Sequence, residues 1–329
     1  MPRAVVFGVD GARLSAKEKS FLREADPWGF ILFARNVETP EQLSALTSEM
    51  REAVGRDCLV MVDQEGGRVA RLRAPHWREW PNVLDQMAHN PALEAVQLRY
   101  CIIGAELRSV GIDTNCVPVL DVARDNTHPF LKSRCFGYDP QTVADAGQAC
   151  VDGLMSSGVL PVIKHIPGHG LGVVDSHKGV PVVGASLEEL RRVDFKPFQA
   201  LKNLPMGMTS HVVYSAIDDV VGTLSAPVIK VIRQEVGFDG LLMTDDLSMG
   251  ALDGTHAERA TRALSAGCDV ILHCSGDMDH MIEIAAEVPE LAGSAERRAN
   301  MAINSRRPQD VVDIDAAIAE YGGMIKVDS

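Results

Sequence analysis

The chain lacks the features of proteins that work on nucleic acids or within membranes. Of its 329 residues 32 are basic and 45 acidic, which gives a formal net charge of −13. Phosphate backbones are bound by basic surfaces, so this acidity argues against a nucleic-acid partner and disfavours anionic membranes. No apolar run approaches the roughly 18 residues that a membrane-spanning helix needs. We therefore expect neither nucleic acid nor membrane as a partner.

Paired cysteines and an apolar leader are also missing. The seven cysteines, at positions 58, 101, 116, 135, 150, 268 and 274, form no CxxC pair. Their odd number, and apolar surroundings such as Asp113–Val119, predict buried reduced thiols in a reducing compartment. The N-terminal segment MPRAVVFGVDGARLS has no sustained apolar stretch before Asp10, unlike a signal peptide. We expect a cytoplasmic protein.

No linker rich in Gly, Pro or Ser divides the chain, and short apolar runs alternate with helical patterns along it. We expect one catalytic domain over residues 1–303 and a peripheral tail over 304–329. The candidate strands are Ala4–Val9, Gly29–Phe33, Leu59–Val62, Asp113–Leu120, Val159–Ile163, Gly207–Thr209, Leu241–Thr244 and Val270–Leu272. The candidate helices are Ser15–Arg23, Pro40–Ala53, Leu93–Val110, Gln141–Ser156, Leu187–Leu201, Ala226–Glu235, His256–Ala266 and Asp279–Ala286.

These strands are short, β-branched and continuously apolar, as in parallel sheets that helices cover on both faces. Thr39-Pro40, Asp139-Pro140 and Ser225 mark helix starts. Gly111, Gly158 and Gly267 mark helix ends. Eight strands that alternate with helices favour an α/β fold of the (β/α)8 TIM-barrel type over a doubly wound open sheet.

Polar residues follow the strands at the positions where barrel enzymes carry their chemistry. The motif Asp63–Arg68 follows the third strand, Asp121 the fourth, Lys164–Gly170 the fifth, His211 the sixth, and Asp245-Asp246 the seventh. Each group alone could be structural. Their coincidence at one rim predicts a catalytic site.

The loop after the fifth strand carries three glycines in five positions, which makes it flexible. Further along it, Asp175 and His177 are two residues apart, so the carboxylate can orient the imidazole as an acid/base group. The alternative is a solvated histidine. A metal site at His165 and His169 is disfavoured, because Pro167 and Gly168 prevent a helix between them and no acidic ligand lies nearby in sequence.

Asp245 and Asp246 end the seventh strand, where adjacent side chains point to opposite faces. One of them can therefore enter the barrel mouth as a nucleophile, and the spacing does not say which. Helix capping is the alternative for this pair. Asp63 with Arg68 and Arg71 is typical of a sugar clamp, with a surface ion pair as the alternative.

Five segments resemble glycoside hydrolase family 3, in particular its single-domain bacterial β-N-acetylhexosaminidases. They are VDQEGGRVAR (62–71), KHIPGHG (164–170), VDSH (174–177), the region of His211, and TDDLSMGAL (244–252). The similarity spans about residues 4 to 275. Cys135 and Ile166 depart from the usual residues of the family, and Cys135 puts the packing of its loop in question. We expect the protein to lack the second α/β domain of the family's β-glucosidases, since no part of this sequence resembles it.

The resemblance implies a retaining exo-β-N-acetylglucosaminidase that works without a cofactor or metal. By position, Asp245 matches the nucleophile and His177, paired with Asp175, matches the acid/base. The positions that match sugar contacts are Asp63, Arg71, Arg134, Lys164 and His165. The family and the expected compartment imply a small carbohydrate substrate, a peptidoglycan fragment in which N-acetylglucosamine is joined to an anhydro-muramoyl sugar. The alternatives are a phosphorylase, a sugar-binding barrel without turnover, and a metal-dependent hydrolase.

Overall fold

The computed structural model describes residues 1–172, 179–250, 252–308 and 313–325. The strands are β1 Arg3–Phe7, β2 Pro27–Leu32, β3 Leu59–Val62, β4 Thr114–Asn115, β5 Leu160–Pro161, β6 Ile163–Ile166, β7 Val182–Val183, β8 Met206–Thr209, β9 Val213–Tyr214, β10 Leu241–Met243 and β11 Ile271–His273.

The strands form a closed parallel barrel. One sheet has the order β11-β1-β2-β3-β4-β5 and another the order β10-β8-β6. Only Val162 separates β5 from β6, so the two act as one strand that joins the sheets. A parallel bridge between Met243 and Val270 closes the ring on the other side. Counted in this way, the described strands form an eight-stranded barrel, and the predicted (β/α)8 barrel is confirmed. Strands β7 and β9 pair with each other outside the barrel.

The helices are α1 Ala16–Ala25, α2 Pro40–Val54, α3 Val83–His89, α4 Leu93–Ser109, α5 Pro129–Lys132, α6 Pro140–Ser156, α7 Leu187–Arg192, α8 Phe195–Ala200, α9 Ala226–Val231, α10 His256–Ala266, α11 Met278–Glu287, α12 Gly293–Asn304 and α13 Ile314–Ile325. The predicted caps are confirmed, because the side chains of Thr39, Asp139 and Ser225 each accept from a backbone N–H in the first turn. No helix of the described segments is long and apolar enough to cross a membrane.

Two predicted elements differ from the structure for reasons that involve proline. The single helix predicted over Leu187–Leu201 is two helices, α7 and α8. Pro197 has no N–H to donate to the carbonyl of Val193, so the helix is interrupted there. The predicted strand Asp113–Leu120 is regular only at β4, since Pro118 likewise lacks a ladder donor.

The barrel strands are buried on both faces; every residue of β2 and β3 is buried. This explains why their sequences are continuously apolar rather than alternating. All seven cysteines are free thiols, and all except Cys101 are buried. In the last part of the chain α13 packs against α4, and its Tyr321 is only 6% exposed.

Candidate active site

A cavity of about 300 Å³ opens at the carboxyl ends of the barrel strands. Parallel strands deliver the residues that follow them to the same rim, which is where barrel enzymes place their chemistry. The cavity is lined by six of the predicted site residues: Asp63, Arg71, Arg134, Lys164, His165 and Asp245. The structure therefore brings together side chains that lie far apart in sequence.

Asp63 follows β3 and is held by two cations. Nη2 of Arg71 donates to Oδ2 of Asp63 (3.0 Å), and Nζ of Lys164 donates to Oδ1 (2.7 Å). Burial opposes ionisation of Asp63, but the charges of Lys164 and Arg71 hold its pKa well below the usual range. Its carboxylate is thus fixed in charge and position at the cavity wall. Arg68, the other arginine of the motif, instead stacks over the ring of Phe130 at 4.4 Å.

Glu65, which the sequence analysis did not select, is the second acidic partner of this network. It is 1% exposed, accepts two hydrogen bonds of 2.8 Å from Arg134, and lies 2.7 Å from Nζ of Lys164. Burial raises its pKa, but Arg134 and Lys164 outweigh burial and lower it to about 2. Glu65 lies in the same motif as Asp63, two residues further along, and this nearness was the signal that could have identified it. The missing information was that Arg134 reaches it from 69 residues away.

Asp121, at the end of the irregular fourth strand, orients His165 of β6 and His169 of the loop that follows. Nδ1 of His165 donates to Oδ2 of Asp121 (2.6 Å), and the backbone N–H of His169 donates to Oδ1 (2.7 Å). With the proton on Nδ1, Nε2 of His165 is an acceptor, and Nη2 of Arg134 donates to it at 3.5 Å. The carboxylate thereby fixes both the tautomer of His165 and the course of the loop.

His169 also lines the cavity, with its ring 5.7 Å from that of His165. Burial lowers the pKa of His169 to about 4, so the ring is neutral at neutral pH. Within the described ranges, neither of its ring nitrogens has a hydrogen-bond partner. In the same ranges no group of three or more His, Cys, Asp and Glu side chains is arranged to hold a metal ion.

The two adjacent aspartates after β10 differ in their partners. The carboxylate of Asp246 accepts from N and Oγ of Ser248 (2.9 and 2.5 Å) and from the N–H of Cys274 (3.1 Å). Asp245 accepts one bond, at Oδ1 from the N–H of Asp246 (2.8 Å), and no described residue donates to its Oδ2. The helix-capping alternative is wrong for this pair, because the N-cap of the following helix α10 is Thr255. Asp246 instead stabilises the turn after β10, whereas Asp245 keeps a carboxylate oxygen to which no described residue donates.

Asp245 is held in its ionised form. Burial raises its pKa, but the imidazoles of His211 and His165, the backbone N–H of Asp246, and Lys164 together bring the pKa below its ordinary value. His211 lies behind this strand end; it donates from Nε2 to the carbonyl of Asp246 (2.9 Å). An ionised carboxylate with one unoccupied oxygen is chemically suited to attack an electrophilic carbon.

Asp175 and His177 lie outside the described residues, so the predicted acid/base pair stays a prediction.

The two residues that depart from the usual family pattern, Cys135 and Ile166, both lie among the described residues. Cys135 is fully buried in a small apolar cluster with Val119, Ala123 and Leu131, and its thiol donates to the carbonyl of Leu131 (3.4 Å). Ile166 is fully buried in β6. Both substitutions therefore fit their surroundings.

Comparison with known proteins gives a consistent assignment. The model of the glycosyl hydrolase family 3 N terminal domain matches residues 4–305. A beta-hexosaminidase of Methylococcus capsulatus is 38% identical over 322 residues, which cover 95% of this chain and 94% of that protein. One of Pseudomonas aeruginosa is 36% identical over 292 residues, covering 87% and 86%. The crystal structure of NagZ from Neisseria gonorrhoeae in complex with N-trifluoroacetyl-D-glucosamine aligns with a TM-score of 0.88, 30% identity and 99% coverage of each chain.

Proposed function

The chain belongs to glycosyl hydrolase family 3, and on that basis we propose that it is a retaining exo-β-N-acetylglucosaminidase that works through a covalent glycosyl-aspartate on Asp245. The observation that carries the proposal is the ionised carboxylate of Asp245 in the cavity wall, with one oxygen that no described residue occupies. The relatives that share most of the chain are named beta-hexosaminidase, which supports the activity.

In the proposed first step, Asp245 attacks the anomeric carbon and the bond from that carbon to the leaving oxygen breaks. The leaving oxygen takes the electron pair and a proton from His177, which Asp175 orients. Water then attacks the anomeric carbon from the face that the leaving group left and gives its proton to His177. The bond from that carbon to Asp245 breaks and its electron pair returns to the carboxylate, so that two inversions retain the configuration. Asp63, Arg71, Arg134, Lys164 and His165 are proposed to bind the sugar hydroxyls.

The size and chemistry of the cavity support one terminal sugar. At about 300 Å³ it lies at the lower end of small-molecule sites, which fits an enzyme that removes a single terminal unit. The gonococcal relative was crystallised with an N-acylated glucosamine, and that supports N-acetylglucosamine as the unit removed here.

We further propose a peptidoglycan-derived muropeptide in the cytoplasm as the natural substrate. Arg68 is exposed at the cavity rim, and within the described residues no carboxylate lies within ion-pair distance of it. Its charge supports an aglycone that carries a carboxylate, as an anhydro-muramoyl sugar does. The seven free thiols support a reducing compartment.

The central test is the replacement of Asp245 by alanine. We expect kcat/KM toward an aryl β-N-acetylglucosaminide to fall by roughly 10³-fold or more, because the covalent route is lost. Mass spectrometry of acid-quenched wild-type enzyme is expected to find one N-acetylhexosaminyl unit on the peptide that contains Asp245. Exposed Asp253→Ala is the matched control. Activity of Asp245→Ala within tenfold of the wild type would sink the nucleophile assignment.

The same assay separates the proposal from its enzymatic rivals. With EDTA present we expect an unchanged rate, whereas a metal-dependent hydrolase would lose activity. With inorganic phosphate present we expect free N-acetylglucosamine as the product. Formation of the sugar phosphate instead would identify a phosphorylase.

A further inference from the structure

Arg99, in the middle of α4, carries a buried charge that the proposed mechanism does not use. Its side chain is 1% exposed, and no carboxylate of the described residues lies within ion-pair distance. All its hydrogen bonds go to neutral oxygens: Oε1 of Gln86 (2.6 Å) and the carbonyls of Glu65 (2.8 Å) and Pro81 (2.9 Å). Burying a charge without a counter-ion is costly, which indicates that the position needs a planar, multidentate donor.

The backbone that Arg99 holds belongs to the sugar-site motif after β3. The carbonyl of Glu65 accepts from Arg99 and also from the hydroxyl of Tyr100 (3.1 Å). The next residue, Gly66, has φ of +98°, and a Cβ added there would overlap Nη2 of Arg99. The glycine is therefore required both for its conformation and for the close approach of the guanidinium.

The side chain of Glu65 links this buried arginine to the cavity. Its two carboxylate oxygens accept from Arg134, and one of them also contacts Lys164. Because Arg99 and Tyr100 fix the carbonyl of Glu65, they fix the point from which its carboxylate extends. The positions of Arg134 and Lys164 thus depend on a residue that does not line the cavity.

The C-terminal helix α13 completes the enclosure of Arg99. The hydroxyl of Tyr321 donates to Oε1 of Gln86 (3.2 Å), the same oxygen that accepts from Arg99. The Tyr321 ring lies edge-on to Trp80 at 5.1 Å, and Trp80 in turn lies 5.5 Å from the Arg99 guanidinium. Nδ2 of Asn90, just after α3, donates to the carbonyl of Met324 (2.8 Å), which ties the helix to the barrel at a second point.

We propose that Arg99 and Tyr321 are positioning residues of the sugar site. In this proposal α13, which carries Tyr321, helps to hold the sugar-binding side chains in place. Tyr321 hydrogen-bonds to Gln86, and Gln86 and Trp80 contact Arg99. Arg99 in turn hydrogen-bonds to the backbone of Glu65. The carboxylate of Glu65 then orients Arg134 and Lys164. The inference rests on the proposed function in one respect, namely that Arg134 and Lys164 contact the sugar.

The first experiment compares Tyr321→Phe and Arg99→Lys with Glu320→Ala, an exposed position on the same helix. At a temperature well below each Tm, Tyr321→Phe should raise KM for an aryl β-N-acetylglucosaminide roughly two- to tenfold, the worth of one hydrogen bond, with a smaller change in kcat. Arg99→Lys should give a larger rise, and Glu320→Ala none. A lower Tm with unchanged KM in Tyr321→Phe indicates a structural role only and overturns the inference.

The second experiment needs no substrate. Tm is measured for Tyr321→Phe, Glu65→Gln and the double variant. If the contacts form one network, the two shifts are not additive; additive shifts overturn the inference even where KM has risen. Should the wild type fail to hydrolyse the substrate, the proposed function falls, and this cycle still decides whether α13 and Glu65 are coupled.

Discussion

Asp245 and Asp246 are adjacent residues of one type in very different surroundings. Three donors from two residues occupy the carboxylate of Asp246, so it shapes the turn that follows β10. Asp245 keeps an oxygen to which no described residue donates, on the cavity side. An ionised carboxylate oxygen that is free of donors is the better nucleophile, so the hydrogen bonds favour Asp245 of the two.

His177 is the residue on which the sequence makes a prediction that the described structure leaves open. If His177 protonates the leaving oxygen, His177→Ala should lose least with leaving groups of low pKa, which depart without a proton. We expect kcat/KM, which reports the first step, to fall roughly 10²- to 10⁴-fold with an alkyl aglycone and distinctly less with a nitrophenyl one. The measurement is kcat/KM across a series of aglycones, with exposed His76→Ala as the control. Equal losses across the series would contradict the acid role.

Among the elements, β6 and the loop after it are both tied to the end of the fourth strand by the carboxylate of Asp121. Asp121 uses both oxygens, one for the His165 ring and one for the His169 backbone. Burial opposes its ionisation, but the neighbouring His165 lowers the pKa of Asp121, so the acceptor stays charged. Two strands are thereby locked together at the point where the cavity begins.

Asp121→Asn tests this connection between elements. Asparagine has one acceptor oxygen in place of two, so either the His165 ring or the His169 N–H loses its partner. We expect kcat/KM to fall roughly 10- to 100-fold, because a misoriented imidazole loses its contact with substrate. The control is Asp145→Asn, an exposed position on α6. A kcat/KM within twofold of the wild type would show that the loop does not depend on Asp121.

For the whole molecule, two groups with pKa values shifted by burial, His273 and Glu106, change the stability with pH in opposite directions. Burial lowers the pKa of His273 from 6.5 to about 3. Below pH 6.5 the unfolded chain therefore protonates His273, whereas the folded chain does not. The contribution of neutral His273 to the free energy of unfolding is complete above pH 6.5 and is lost as the pH falls toward 3. Glu106 acts in the opposite direction, because burial raises its pKa from 4.5 to about 7.

Since these contributions oppose one another, the informative quantity is a difference between variants. The stability of His273→Gln relative to the wild type should rise between pH 7.5 and 5.5, by at most about 1.4 kcal/mol per pH unit below 6.5. Urea midpoints at several pH values measure it, and exposed His76→Gln should show a constant difference. A pH-independent difference for His273→Gln would mean that the folded state also protonates His273 near pH 6.5.

How much was predictable depends on the range of the interactions. Each barrel strand was predicted within a few residues except the fourth, because a buried parallel strand is marked by its own apolar run. Helices α3, α5, α12 and α13 were missed. The buried face of α12 consists of alanines, Ala299 and Ala302, which give little contrast with its polar face. Gly322 and Gly323 make the second half of α13 look like a turn.

The barrel, the family and the rim on which the polar motifs gather could be read from the chain alone. These follow from patterns a few residues long, and from the rule that parallel strands present their carboxyl ends together. Three features needed the folded coordinates: which aspartate keeps an oxygen without a donor, that Glu65 joins Arg134 to Lys164, and that Tyr321 reaches Gln86 across 235 residues. Such contacts depend on how the ring of strands closes and where the outer helices pack, and no local pattern in the chain encodes those distances.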